Sequence, residues 1–173
     1  MRKDSDMALR KIIIFGNSGS GKSTLAAELC RAHDLAHLDL DSLAWLPSAP
    51  PARRALNDSK QEINRFIAQR EGWVIEGCYA DLLELIEPFA TEAIFMNLPV
   101  ALCQQNARNR PWEPHKYESK QAQDNNLSML LDWIAQYEER DDVFSYQAHR
   151  ILFERFHGLK KEIVSNAVNQ VHS

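Results

Sequence analysis

The strongest constraint on this chain is the run Ile12-Ile13-Ile14-Phe15 followed by Gly16-Asn17-Ser18-Gly19-Ser20-Gly21-Lys22-Ser23-Thr24. The apolar run reads as a buried strand, and residues 16–23 fit G-x-x-x-x-G-K-[ST], the phosphate-cradling loop. Its glycines allow backbone angles that a side chain forbids, so the amide N–H groups of residues 16–24 can close on phosphate oxygens. The loop feeds a helix, predicted over 21–32 with Leu25 and Leu29 inward, whose positive N-terminal end strengthens an anion site. In this pattern Lys22 reaches the β- and γ-phosphates and the Ser23 hydroxyl ligates Mg²⁺. The alternative, a glycine-rich hairpin or linker, does not account for the strand before it or the amphipathic helix after it.

A length of 173 residues allows one domain with a full core, and a single domain over residues 1–173 is expected. The net charge of −4 disfavours nucleic-acid and anionic-membrane binding, which need basic surface. No apolar run approaches the roughly 20 residues that cross a bilayer, and the mixed-charge start MRKDSDMALRK lacks a signal-peptide core; a start at Met7 serves the fold equally well. Cys30, Cys78 and Cys103 show no C-x-x-C spacing, and the six histidines show no ligand spacing. Small buried thiols in a reducing cytoplasm are the expectation.

Along the chain, residues 35–41 read as a second strand ending in Asp39 and Asp41. Residues 45–54 (WLPSAPPARR) read as an irregular loop. Ser59-Lys60-Gln61-Glu62 has capping-box spacing and is expected to open a helix with Ile63, Phe66 and Ile67 inward, ending before Gly72. Trp73-Val74-Ile75 is a third strand closing on Glu76-Gly77, followed by a short helix over 80–87 that Pro88 stops. Ala93–Met96 is a fourth strand, Pro99 opens a helix reaching Arg108, and a longer helix starts at Asp124 with Leu127, Leu130, Leu131 and Ile134 on one face. Between them, residues 104–120 carry four Lys/Arg against two Glu, a basic patch in an acidic chain. Residues 138–142 read as a solvated turn, 144–157 as a helix with Leu152 and Phe156 inward, and 162–165 as a fifth strand or a last helix. The final residues read as frayed.

Strands alternating with helices imply right-handed βαβ units and a parallel sheet, with ligands outside the carboxyl ends of the strands. The loop after strand one, Asp39 and Asp41 after strand two, and Glu76 after strand three therefore converge on one rim.

With GNSGSGKSTLAAEL at 16–29, HLDLDSLAW at 37–45, GWVIEGCY at 72–79 and AIFMNLP at 93–99, the sequence resembles the small P-loop kinases of the adenylate kinase and shikimate kinase group. Its layout is similar to the adenylate-kinase-like topology-modulation proteins. The resemblance implies an α/β three-layer P-loop NTPase fold: a five-stranded parallel sheet of order 2-3-1-4-5, helices on both faces, and a helical lid over about residues 108–125. It implies ATP and Mg²⁺, and transfer of the γ-phosphate to a hydroxyl or phosphate of a small molecule. It places Asp39 towards the Mg²⁺ shell, Asp41 on the acceptor hydroxyl, Glu76 on metal-bound water, and Arg110 (Arg108 as second choice) on the transferring phosphate. Two departures matter. After Glu76-Gly77 the run Cys78-Tyr79-Ala80-Asp81 lacks the arginine that grips a nucleoside monophosphate, and Asn106 stands where an adenine-stacking arginine is usual.

Trp45, the loop to Arg54, and Tyr79 are expected to wall the acceptor pocket. Arg53 and Arg54 either hold an acidic group there or are solvated surface. Trp112 and Tyr117 either help close the lid or pack. The rival function is a nucleotide-binding or ATPase regulatory protein acting on a macromolecule such as DNA. Against a GTPase switch the chain has no guanine-reading N-K-x-D run, and against transporter-type ATPases it has no L-S-G-G-Q run. A monomer or homodimer is expected.

Overall fold

In a computed structural model, which describes residues 9–166, four parallel pairings build one sheet. Its strands are β1 (Lys11–Gly16), β2 (Ala36–Asp39), β5 (Trp73–Gly77), β6 (Glu92–Met96) and β7 (Leu159–Ile163), in the order β2-β5-β1-β6-β7. Counting the strands of this sheet alone, the order is the expected 2-3-1-4-5. The intervening β3 (Trp45–Leu46) and β4 (Ala52–Arg53) form a separate antiparallel hairpin.

β1 lies at the centre, between β5 and β6, so both its faces are covered and its apolar residues need not alternate with polar ones. Ile12, Ile13, Ile14 and Phe15 are all fully buried. Ile13 and Phe15 join the core on one face, with α3 (Leu56–Ala68), α4 (Ala80–Ile86) and α7 (Tyr146–Arg155) supplying Ile63, Leu82, Leu83 and Leu152. Ile12 and Ile14 join the core on the other, with α1 (Lys22–His33), α5 (Val100–Arg108) and α6 (Lys120–Ala135) supplying Ala26, Cys103 and Ile134. Burying each of the Ile, Leu and Phe side chains among these is worth about 1.5–3 kcal/mol. The result is three layers with the strand ends at one rim.

Several boundaries differ from those expected of the sequence. Residues 45–54 are not irregular: Trp45 pairs with Arg53 and Leu46 with Ala52, and the prolines occupy the connection rather than the paired positions. Asp41 does not end strand two but begins the four-residue α2 (Asp41–Ala44). Ser59 is no cap. α3 starts a turn earlier after Ala55, and the buried Ser59 hydroxyl donates to the Leu43 carbonyl at 3.0 Å. α4 ends at Ile86, just before Pro88 as expected, and a 3₁₀ turn runs on over Glu87–Phe89. α6 starts at Lys120, not Asp124, with the Ser119 hydroxyl accepting from the Ala122 N–H at 3.0 Å. α7 starts at Tyr146, capped by Ser145. In the acidic turn Arg140 is not solvated: its side chain is 8% exposed and its guanidinium lies 3.3 Å from the Trp133 ring centroid. Leu159–Ile163 resolves the fifth element as a strand. The expectations for the N-terminal leader and the frayed C-terminus fall outside the described residues. Among the described residues no helix is long and apolar enough to cross a membrane.

Candidate active site

The loop from Gly16 to Thr24 leaves the central strand and turns into α1. Two of its glycines are required by close approach. A Cβ on Gly16 (φ +153) would lie 2.4 Å from the Met96 carbonyl oxygen, and one on Gly19 (φ +78) 2.4 Å from that of Cys103. Buried Asn17 fixes the loop from below, its Nδ2 donating to the Ile134 carbonyl at 3.2 Å. The Lys22 ammonium donates to the Asn17 carbonyl at 2.7 Å, so it sits folded over the loop. The buried Ser20 hydroxyl has no hydrogen-bond partner. Asn106 takes up the Gly19 carbonyl at 2.9 Å and Asn166 that of Ser20 at 3.3 Å, so these two amides brace the loop from outside.

Asp39 and Glu76 are register partners on adjacent strands. The Ser23 hydroxyl donates to Glu76 Oε2 at 2.8 Å, and His37 Nε2 lies 3.0 Å from the same oxygen. That bond raises the His37 pKa, against the effect of burial. Asp39 Oδ1 accepts from the Asp41 N–H at 2.9 Å. Burial, with the charges of Glu76 and Asp41, pushes the Asp39 carboxyl up to about 6.

Asp41 experiences opposite forces. Burial disfavours its charge, but Lys116 and the Tyr79 hydroxyl together more than offset this, so its pKa is lowered. Tyr79 donates to Asp41 Oδ1, and Trp45 Nε1 donates to the Tyr79 oxygen at 2.8 Å. Lys116 Nζ lies 3.2 Å from Asp41 Oδ2 and 3.4 Å from Glu113 Oε2. Glu113 also pairs with Arg110 Nε at 3.1 Å. One carboxylate thus holds two loop cations, and Gln123 of α6 pins the loop by accepting from Glu113 N and donating to the Pro111 carbonyl.

These groups surround a cavity of about 580 Å³. Of the expected site residues, Ser18, Gly19, Gly21, Lys22, Ser23, Thr24, Asp39, Asp41, Glu76 and Arg110 line it. Gly16, Asn17 and Ser20 form the backing of the loop. Arg108 does not line the cavity; it is exposed and borders a second, much smaller pocket that shares Arg110, Tyr117 and Leu130 with the cavity. Trp45, Arg53, Arg54 and Tyr79 do not wall the cavity. Arg53 is neither solvated nor aimed at a ligand. It pairs with Asp81 at 3.1 Å and lies 5.0 Å from the Tyr79 ring centroid, with Phe144 and Trp45 also under its guanidinium. Arg54 donates to the Leu43 carbonyl at 3.3 Å. Trp112 is exposed and neither lines the cavity nor joins the core; its Nε1 donates to the Tyr117 carbonyl, whereas Tyr117 itself lines the cavity. Sequence reasoning misses Lys116 and Glu113 as individuals; the basic excess over 104–120 is the signal that points to their loop. The cysteines are free; Cys103 is buried, whereas Cys30 and Cys78 are only partly so.

Among the described residues no group of three His, Cys, Asp or Glu side chains is placed to enclose a metal. Magnesium needs no such cage: it keeps several waters and takes one or two carboxylates plus phosphate oxygens. The donor set here, the Ser23 hydroxyl with Glu76 and Asp39 nearby, is all oxygen and fits that habit.

A family profile described as an AAA domain matches residues 12–114. The protein YqaC of Bacillus subtilis (strain 168), described as uncharacterized, is 24% identical over 134 residues, covering 75% of this chain and 73% of its own. The crystal structure of a gluconokinase from Sinorhizobium meliloti 1021 superposes with a TM-score of 0.55 at 17% identity, covering 95% of this chain and 87% of the other.

Proposed function

The chain belongs to the AAA-domain family and has the build of a P-loop, kinase-like nucleotide-binding protein, and on that premise we propose that it is an ATP- and Mg²⁺-dependent phosphotransferase acting on a small molecule. One observation supports this above the others. The phosphate loop, the Ser23–Glu76 pair and Asp41 open into the same cavity, with Arg110 and Lys116 from a single loop on its far side.

In this reading the amides of residues 16–24 and Lys22 hold the triphosphate. Ser23, with Glu76 and Asp39, would hold Mg²⁺, which supplies positive charge to the phosphate oxygens when bound. Asp41 orients the acceptor hydroxyl. That oxygen bonds to the γ-phosphorus as the bond to the β,γ-bridging oxygen breaks, ADP leaves with the electron pair, and the hydroxyl proton passes late to Asp41. Lys22, Arg110 and Lys116 balance charge on the transferring group. Lys116 must leave Asp41 for this, so residues 109–119 and the first turn of α6 act as the lid, closing out water. The gluconokinase of similar fold bears a name consistent with this reaction class.

Acceptor-dependent ADP release by the purified protein tests the proposal, with Lys22→Ala as control. The variant should keep its fold, bind nucleotide more weakly and lose transfer. ATP turnover indifferent to every acceptor, together with a harmless Asp41→Asn, would sink it.

A further inference from the structure

We propose that the acceptor is an electrically neutral polyol or sugar, not an acid or a phosphate ester; this rests on the kinase reading above. Three cations line the cavity, Lys22, Arg110 and Lys116, against four carboxylates, Glu28, Asp39, Asp41 and Glu76. All three cations are engaged. Lys22 is folded onto the phosphate loop, Arg110 is paired with Glu113 at 3.1 Å, and Lys116 is shared between Asp41 at 3.2 Å and Glu113 at 3.4 Å. A nucleoside triphosphate enters with more negative charge than one Mg²⁺ cancels, and it draws on the same three.

The arginines of the neighbouring hairpin offer no reserve. Arg53 is held by Asp81 and stacked on aromatic rings, and Arg54 is turned to a backbone carbonyl. The rest of the cavity lining, Gly77 and Cys78 among it, brings no positive charge. A carboxylate or phosphate on the acceptor would therefore enter a site of its own sign with no cation to meet it. A neutral hydroxyl compound needs only the acceptor Asp41 and short-range hydrogen bonds.

Matched pairs that differ by one charged group decide the matter: sorbitol and glucose against gluconate, and glycerol against glycerate and glycerol 3-phosphate. ADP release should show kcat/KM for the uncharged member at least about tenfold above its charged counterpart. Glu113→Gln releases the charge of Arg110 and Lys116 and should narrow that ratio by about tenfold, whereas loss of a merely structural contact lowers both members of a pair alike. The wild-type comparison stands without the variant. A charged member preferred by the wild-type protein overturns the proposal. So does the absence of ADP release with every uncharged member from protein that binds ATP with Mg²⁺. Protein that does not bind ATP overturns the kinase reading beneath it instead.

Discussion

Asp39 is the place where function should be measurable as lost stability. Its carboxyl is raised from 3.8 to about 6 by burial and by Glu76 and Asp41. The unfolded chain therefore ionises this group first. Between about pH 4 and 6 the folded protein holds a proton that the unfolded one has released, so stability falls as pH rises through that window and levels off above it. A difference of about two pH units corresponds to about 3 kcal/mol, and screening at a partly exposed carboxylate reduces this to about 1–2 kcal/mol. Asn in its place keeps the oxygen that accepts from the Asp41 N–H but never ionises. Urea unfolding of Asp39→Asn and wild type, both in excess chelator, should give equal midpoints near pH 4. The variant should become more stable by about 1–2 kcal/mol above pH 7, while Mg²⁺-dependent transfer drops. An Asn variant less stable than wild type by the same margin at both pH values would refute the electrostatic account.

Tyr79→Phe removes the hydroxyl that donates to Asp41 and leaves Trp45 Nε1 without its acceptor. Because that bond favours the ionised carboxylate, its loss should raise the Asp41 pKa, move the acid limb of the kcat/KM profile to higher pH and lower turnover by about tenfold; an unmoved acid limb would count against the assignment. Arg110→Ala should lower kcat more than it raises KM for ATP, since its charge is needed mostly in the transition state, and the reverse pattern in steady-state kinetics would place it in ground-state binding. Ile13→Ala, in the fully buried central strand, should cost about 2–5 kcal/mol by denaturant unfolding; a loss under about 1 kcal/mol would mean that the core there is looser than its burial indicates.

Features written in consecutive residues are legible from the sequence alone. The phosphate loop, the apolar central strand and the rule that places strand ends on one rim need only local pattern and topology. Helix starts are less legible because look-alike caps compete. Ser59-x-x-Glu62 imitates a capping box, yet the Ser59 hydroxyl serves the Leu43 carbonyl, while the true start after Ala55 has no side-chain cap. Asp124 imitates a start because the real cap, Ser119, closes a loop rich in proline and charge. The site's second half is hidden for another reason. Lys116 meets Asp41, and Tyr79 backs it, only because the chain folds a loop after strand β6 over the end of strand β2. Neither spacing nor composition encodes such a meeting. Arg53 shows the same blindness in reverse: its charge invites a ligand, but Asp81 and the rings of Trp45, Tyr79 and Phe144 claim it.

Helix α6 touches both halves of this machinery. Near one end Gln123 grips the loop that carries Arg110 and Lys116; at the other the Ile134 carbonyl holds Asn17 beneath the phosphate loop. Sixteen residues make a rod about 24 Å long, so a tilt of about 5° pivoted at Ile134 swings the far end by about 2 Å. One helix thus joins the mooring of the phosphate loop to the loop whose Lys116 meets Asp41.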